Sequence, residues 1–147
     1  MAYRLCVKGV FSRNQMTASV GGILKKDGRW VRGVGGNIGL AVPEAAELWV
    51  IYHGLKMAWE QQKTSVVVFS ECMEAINAIN EADPTYPMAM LVDLITMLLR
   101  ESWDHVEIQP THSDVNVAAT DMAHHCLNGP GGVDEFAAPP AAIKNTI

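Results

Sequence analysis

Cysteine is scarce in this chain, and the few cysteines do not pair. Cys6, Cys72 and Cys126 form neither a Cys-x-x-Cys motif nor a zinc-ligand spacing, which argues against a disulfide framework and against a cysteine-built metal site. They read as buried thiols of an intracellular protein, cytoplasmic or nuclear. Long apolar runs are missing too. No stretch approaches the roughly 20 residues that a membrane-spanning helix requires, so no membrane association is expected. Met1-Ala2-Tyr3-Arg4 is not a charged lead followed by an apolar stretch, and nothing there resembles a secretory signal. Internal repeats are absent. What the chain does have is apolar side chains, 49% of 147 residues. That suffices for one good core, in a chain too short for two domains.

Acids are nearly missing from the first 32 positions, which hold Asp27 alone against seven bases: Arg4, Lys8, Arg13, Lys25, Lys26, Arg29 and Arg32. The remainder holds fifteen acids against four bases, and the net charge is −5. Arg13, Lys25, Lys26, Arg29 and Arg32 are the candidates for meeting phosphates. Charge alone does not establish that role, because basic side chains on strand edges also discourage aggregation.

Hydrophobic periodicity gives the order of elements. Arg4 to Phe11 alternates as a half-buried strand. Ala18 to Lys26 is a second strand, in which Gly21-Gly22 marks a bulge or a close backbone approach. Lys26-Asp27-Gly28-Arg29 predicts a tight hairpin turn, and Arg29 to Gly35 returns as a third strand. Pro43-Glu44 then opens a helix running to about Gln62, with Val50, Ile51, Gly54, Leu55, Ala58 and Trp59 on its buried stripe. Glu47 lies on that same stripe, and an inward carboxylate without a partner is costly.

Ser65 to Phe69 is a β-branched run typical of a central strand. It ends at Ser70-Glu71 and leads straight into a helix from Cys72 to Asn80. Asp83 to Pro87 breaks the chain before a third helix, Met88 to Arg100, with Met90, Leu91, Leu94, Ile95 and Leu98 inside. His105 to Ile108 is a short strand. The loop from Pro110 to Val115 precedes a last helix, Asn116 to Leu127, stopped by Asn128-Gly129. The expected architecture is an α/β domain over residues 1–128, β-β-β-α-β-α-α-β-α, with a mixed five-stranded sheet flanked by helices. Residues 129–147, rich in Pro, Gly and Ala, are expected to form a flexible tail.

Several stretches carry a resemblance: Lys8-Gly9-Val10-Phe11, Gly21 to Leu24, Gly28-Arg29-Trp30, Glu44 to Trp49, Tyr52 to Leu55, Glu81 to Pro84 and Asn116 to Ala123. Together they resemble the ribonuclease H-like, or reverse-transcriptase-like, domains of plant genomes, over roughly residues 3–127. In enzymes of that family four acidic residues hold two divalent cations that activate water and stabilise the leaving oxygen. The resemblance places the first of those acids, an aspartate in an Asp-Gly pair, on Lys8. It places the helix glutamate on Glu47 and the acid that ends the central strand on Glu71. The last, in an Asn-x-x-Ala-Asp pattern, falls on Thr120. Asp121 is next to it, but one helical step turns a side chain by about 100°.

Two of the four carboxylates are thus replaced, one of them by a fixed cation. The resemblance then implies a degenerate site with no metal, and no cofactor unless the chain is an active enzyme, which would need Mg2+. Lys8 is expected to stand in as counter-ion between Glu47 and Glu71, the alternative being that it extends to water. His112 falls near a product-releasing histidine of many ribonucleases H, but an exposed loop residue is the simpler reading. His124 and His125, adjacent on a helix, face different directions. Trp30, Trp49 and Trp59 are expected in the core, with base stacking as the alternative. The expected function is a non-catalytic binding module, a pseudo-ribonuclease H, most simply for a protein partner. The alternatives are a metal-dependent ribonuclease on RNA–DNA hybrids and weak, non-catalytic nucleic-acid binding.

Overall fold

A computed structural model describes residues 2–146, the side chain of Asn145 excepted; Met1 and Ile147, at the outer ends of the expected domain and tail, lie outside the described residues. Three long strands come first, β1 (Tyr3–Ser12), β2 (Thr17–Lys26) and β3 (Arg29–Gly39), each antiparallel to the one before. The β2–β3 reversal falls on Asp27 and Gly28, with φ of 52° and 76°, the left-handed pair that a two-residue hairpin demands. Helix α1 (Pro43–Glu60) carries the chain back to β4 (Ser65–Ser70), which runs parallel to β1. Helices α2 (Met73–Glu81) and α3 (Ala89–Leu99) connect β4 to the parallel strand β5 (His105–Pro110). A 3₁₀ turn at Ser113–Val115 then leads into α4 (Val117–Leu127). No helix among the described residues is long and apolar enough to cross a membrane.

The sheet order is β5-β4-β1-β2-β3-β6, so the expected five strands are corrected to six. The added strand, β6 (Gly132–Phe136), lies in the segment expected as a tail and pairs antiparallel with the free edge of β3. An ion pair between Arg32 Nε and Glu135 Oε1 at 2.6 Å fastens it, and the Trp30 indole donates to the Ala137 carbonyl at 2.9 Å. Ile143 is buried beside Ile23 and Met122. A five-residue edge strand with one covered face has too little apolar repetition to be read as a strand. It is selected by tertiary contact, and it covers an edge that would otherwise be open.

β1 is covered on both faces, and Leu5, Cys6 and Val7 are all buried, so the expected half-buried strand is corrected as well. On one face α1 approaches so closely that Gly54 lies against Leu5; on the other, α4 sits on Gly21, where an added Cβ would come within 2.4 Å of the Ala119 carbonyl oxygen and 2.6 Å of the Ala123 nitrogen. This is the close backbone approach expected of Gly21-Gly22. The stripe of α3 is rotated relative to expectation. Leu91, Val92 and Ile95 face inward, while Met90 is 84% and Met97 63% exposed and Leu94 is also exposed, because α3 packs on α1 and α2, and one narrow apolar stripe suffices for that contact. Trp30 and Trp49 are half-buried against the two clusters, and the half-buried Trp59 packs on Trp103 at 4.9 Å between ring centroids.

The Gly21 contact is with backbone, which has little room to give way. Gly21→Ala should therefore cost about 1–3 kcal/mol in urea unfolding. Gly131→Ala, whose Cβ meets nothing within 4 Å, should stay within about 0.5 kcal/mol of the parent.

Candidate functional site

The site forms where α1 crosses the middle of β1. An added Cβ on Gly9 would sit 2.8 Å from the carbonyl carbon of Ala46, so only glycine allows the helix this close. The contact brings Glu47 to the strand, where its Oε1 accepts the Gly9 N–H. Glu47 is 7% exposed. Burial above all pushes its carboxyl up from the ordinary range to about 7; the Gly9 N–H and the Lys8 charge pull it down, while Glu71 and Glu74 add to the rise.

Lys8 does not bridge the two carboxylates as expected. Its Nζ lies 3.7 Å from Glu71 Oε1, with the two side chains 24% and 16% exposed, and it forms no ion pair with Glu47 among the described residues. Strand geometry explains the difference. Lys8 pairs with Gly21 and shares its α4-facing side, whereas Gly9, one residue on, faces α1 and Glu47. Lys8 therefore acts on Glu47 only through space. The other oxygen of Glu71 accepts a hydrogen bond from Asn116 Nδ2 at 2.8 Å, and the same nitrogen donates to the Val7 carbonyl at 2.9 Å. Asn116 thus ties the end of β4 to β1 at the mouth of α4.

Thr120 lines no part of this cleft. Its hydroxyl donates back to the Asn116 carbonyl at 3.1 Å, one turn earlier. Asp121 is likewise outside the cleft lining, and His112, His124 and His125 are exposed. The cleft, about 580 Å3, is lined by Lys8 and Gly9, by Glu44, Glu47, Glu71 and Glu74, and by Cys72 beside Val42 and Pro43. Among the described residues, no three His, Cys, Asp or Glu side chains converge as a metal-holding group. The Cys72 thiol is pushed up to about 11, by burial first and then by the charges of Glu47 and Glu74, so it stays protonated and unreactive at neutral pH.

Sequence reasoning did not single out Asn116, Glu44 or Glu74 as site residues. Glu74 follows Glu71 by three residues in a helical first turn, which was a usable signal. The role of Asn116 depends on a contact across 109 positions and has no local signature. The basic candidates do not form one patch. Arg13 lies at the β1–β2 turn, while Lys26 and Arg29 lie at the other end of β2, about 30 Å away for ten extended residues. Arg32 is engaged with Glu135, and Lys26 sits over the Tyr3 ring at 4.5 Å.

The family described as reverse transcriptase-like matches residues 6–126. An Arabidopsis thaliana protein that carries the provisional name of a ribonuclease H protein is 30% identical over 142 residues, covering 95% of this chain and 23% of that relative. The chain therefore spans less than a quarter of the length of the curated relative it matches. Ribonuclease H1 of the halophilic archaeon Halobacterium salinarum superposes with a TM-score of 0.78 at 20% identity, over 88% of this chain and 100% of the other. LC11 ribonuclease H1, solved in complex with an RNA/DNA hybrid, gives 0.75 at 13% identity, over 86% and 96%. At these identities the likeness is one of fold.

Two outcomes follow from the electrostatics. The Glu47 carboxyl is raised in the folded state, so its favourable contribution is complete below about pH 4.5 and is lost as pH rises through about 7. Glu47→Gln keeps an acceptor for Gly9 and removes this loss. Relative to the parent, the variant should gain about 1–3 kcal/mol between pH 5 and pH 8 in paired urea titrations; a difference independent of pH would refute the assignment. Lys8→Met should destabilise by about 1–3 kcal/mol at neutral pH by leaving Glu71 without its cation. Adding Glu71→Gln should recover much of that, and a stability equal to the parent's in the single variant would remove the ion pair from the account.

Proposed function

Because the chain belongs to the reverse transcriptase-like family and has a ribonuclease H-like fold, we propose that it is a non-catalytic binding module whose partner is a protein. The observation that carries this reading is the Lys8 ammonium 3.7 Å from Glu71, at the position where the family resemblance expects a metal-ligating aspartate. Magnesium requires hard anionic oxygens around it, and a fixed ammonium a few ångströms away opposes it by several kcal/mol even at a protein-like dielectric. Glu71 already spends both oxygens, on Lys8 and on Asn116. Thr120 spends its hydroxyl on its own helix. The residues present do not fit a two-cation site, and no hydrolytic step is derived through one.

The sign of the cleft supports a protein as the partner. Four carboxyl groups surround one ammonium, and such a surface repels phosphates. A second reading, nucleic-acid binding without cleavage, has support of its own from structural neighbours solved with RNA/DNA hybrids, LC11 ribonuclease H1 and a foamy viral protease-reverse transcriptase. On this chain it would fall to Lys25, Lys26 and Arg29 at one end of the sheet, reading helix shape and not sequence. Steep weakening of hybrid binding with salt would favour it.

The purified chain should leave an RNA–DNA hybrid intact with magnesium or manganese, and millimolar magnesium should leave Tm unchanged, since a ligand stabilises only by binding the folded state. Lys8→Asp alone should remain inactive, because Thr120 still lacks a carboxylate. Metal-dependent cleavage that survives repurification and disappears in Glu47→Gln would overturn the binding-module reading.

A further inference from the structure

The cleft has a chemistry of its own beyond the loss of a metal site. Glu47 gives one oxygen to the Gly9 N–H, and among the described residues no hydrogen bond or ion pair reaches its other oxygen, although the residue lines the cleft and is 7% exposed. Glu44 and Glu74 line the same space from the first turns of α1 and α2. One side of the mouth is apolar, because Val42 and Pro43 line the cleft and both are exposed. A cleft of about 580 Å3 lined by four carboxyl groups and by the exposed Val42 and Pro43 suits a long cationic side chain with apolar neighbours.

We propose that this cleft receives an arginine side chain presented by a protein partner, with aliphatic residues next to that arginine packing on Val42 and Pro43. The inference rests on the protein-binding reading and adds the chemistry of the partner. Arginine fits better than lysine because its planar fork can satisfy two carboxylates at once while its stem lies along apolar surface. Lys8 then acts as a resident cation. It balances Glu71 within the cleft and competes in part with an incoming charge.

The test is a titration of the 15N-labelled chain with the blocked tripeptide Leu-Arg-Leu at low salt. The Gly9 amide, which reports directly on Glu47, and the Cys72 amide should shift saturably. The same peptide with citrulline, equal in shape and uncharged, should bind at least about tenfold more weakly. Glu74→Gln, a substitution at an exposed position that leaves the core untouched, should weaken arginine binding several-fold, and Lys8→Met should tighten it. A purely structural Lys8 would give no tightening. Absence of saturable shifts, or equal binding of the citrulline peptide, overturns the inference. If that happens while the RNA–DNA hybrid stays intact, only the arginine cleft is refuted. Metal-dependent cleavage would instead refute the non-catalytic reading beneath it.

Discussion

The approach of α1 to β1 at Gly9 is the contact on which the rest of the site depends. A side chain there would strike the backbone of Ala46, and moving the helix out by even a methyl group would take Glu47 away from the Gly9 N–H. Without that donor a carboxylate so deeply buried would have only the through-space field of Lys8 to offset its desolvation. The helix could then hold a protonated acid or an amide at this position, but not a group that ionises near neutrality. The same contact sets the depth of the cleft, because Glu44 and Glu47 approach its floor only as far as the helix does.

Around that contact the polar side chains divide into two groups of unequal character. Lys8, Glu71 and Asn116 form one set, in which each oxygen of Glu71 has a donor and the amide nitrogen of Asn116 also holds the Val7 carbonyl, while the buried Asn116 Oδ1 has no partner. Glu47 is the open member, with one donor and a raised carboxyl. The alternation of strand β1 produces this division. Consecutive residues leave the sheet on opposite sides, so a cation at position 8 can pair closely with the acid at the end of β4 and only at longer range with the acid on α1. Position 8 therefore rules out a symmetric bridge even though both carboxylates are near it.

Most of the fold was legible because its signals are local. The Asp27-Gly28 turn, the β-branched run at Val66–Val68, Pro43 at a helix start and the Asn128-Gly129 stop each act within a few residues, and each is where expected. Glu47 was legible as an inward carboxylate on an apolar helical stripe. What the sequence did not reveal depends on contacts between distant positions. β6 exists because β3 offers an edge and Arg32 offers Glu135 a partner. The face of α3 is chosen by its packing on α1 and α2, which leaves Met90 and Met97 outside. Asn116 is drawn into the site by Val7 and Glu71, from strands that its own neighbourhood in sequence does not predict.

The cleft also shows why keeping a carboxylate after its neighbours have changed need not be neutral. A buried acid whose carboxyl is raised to about 7 changes protonation near neutrality, so its charge responds to whatever approaches. A phosphate nearby raises the carboxyl further and is met by Glu44 and Glu74 as well, so approach becomes less favourable as it proceeds. A cation lowers the carboxyl and draws out the full negative charge, so approach strengthens the field that attracts it. The site therefore discriminates by sign more sharply than its formal charges suggest. Lys8 moderates that discrimination without reversing it, because its closest partner is Glu71 and one oxygen of Glu47 stays unengaged.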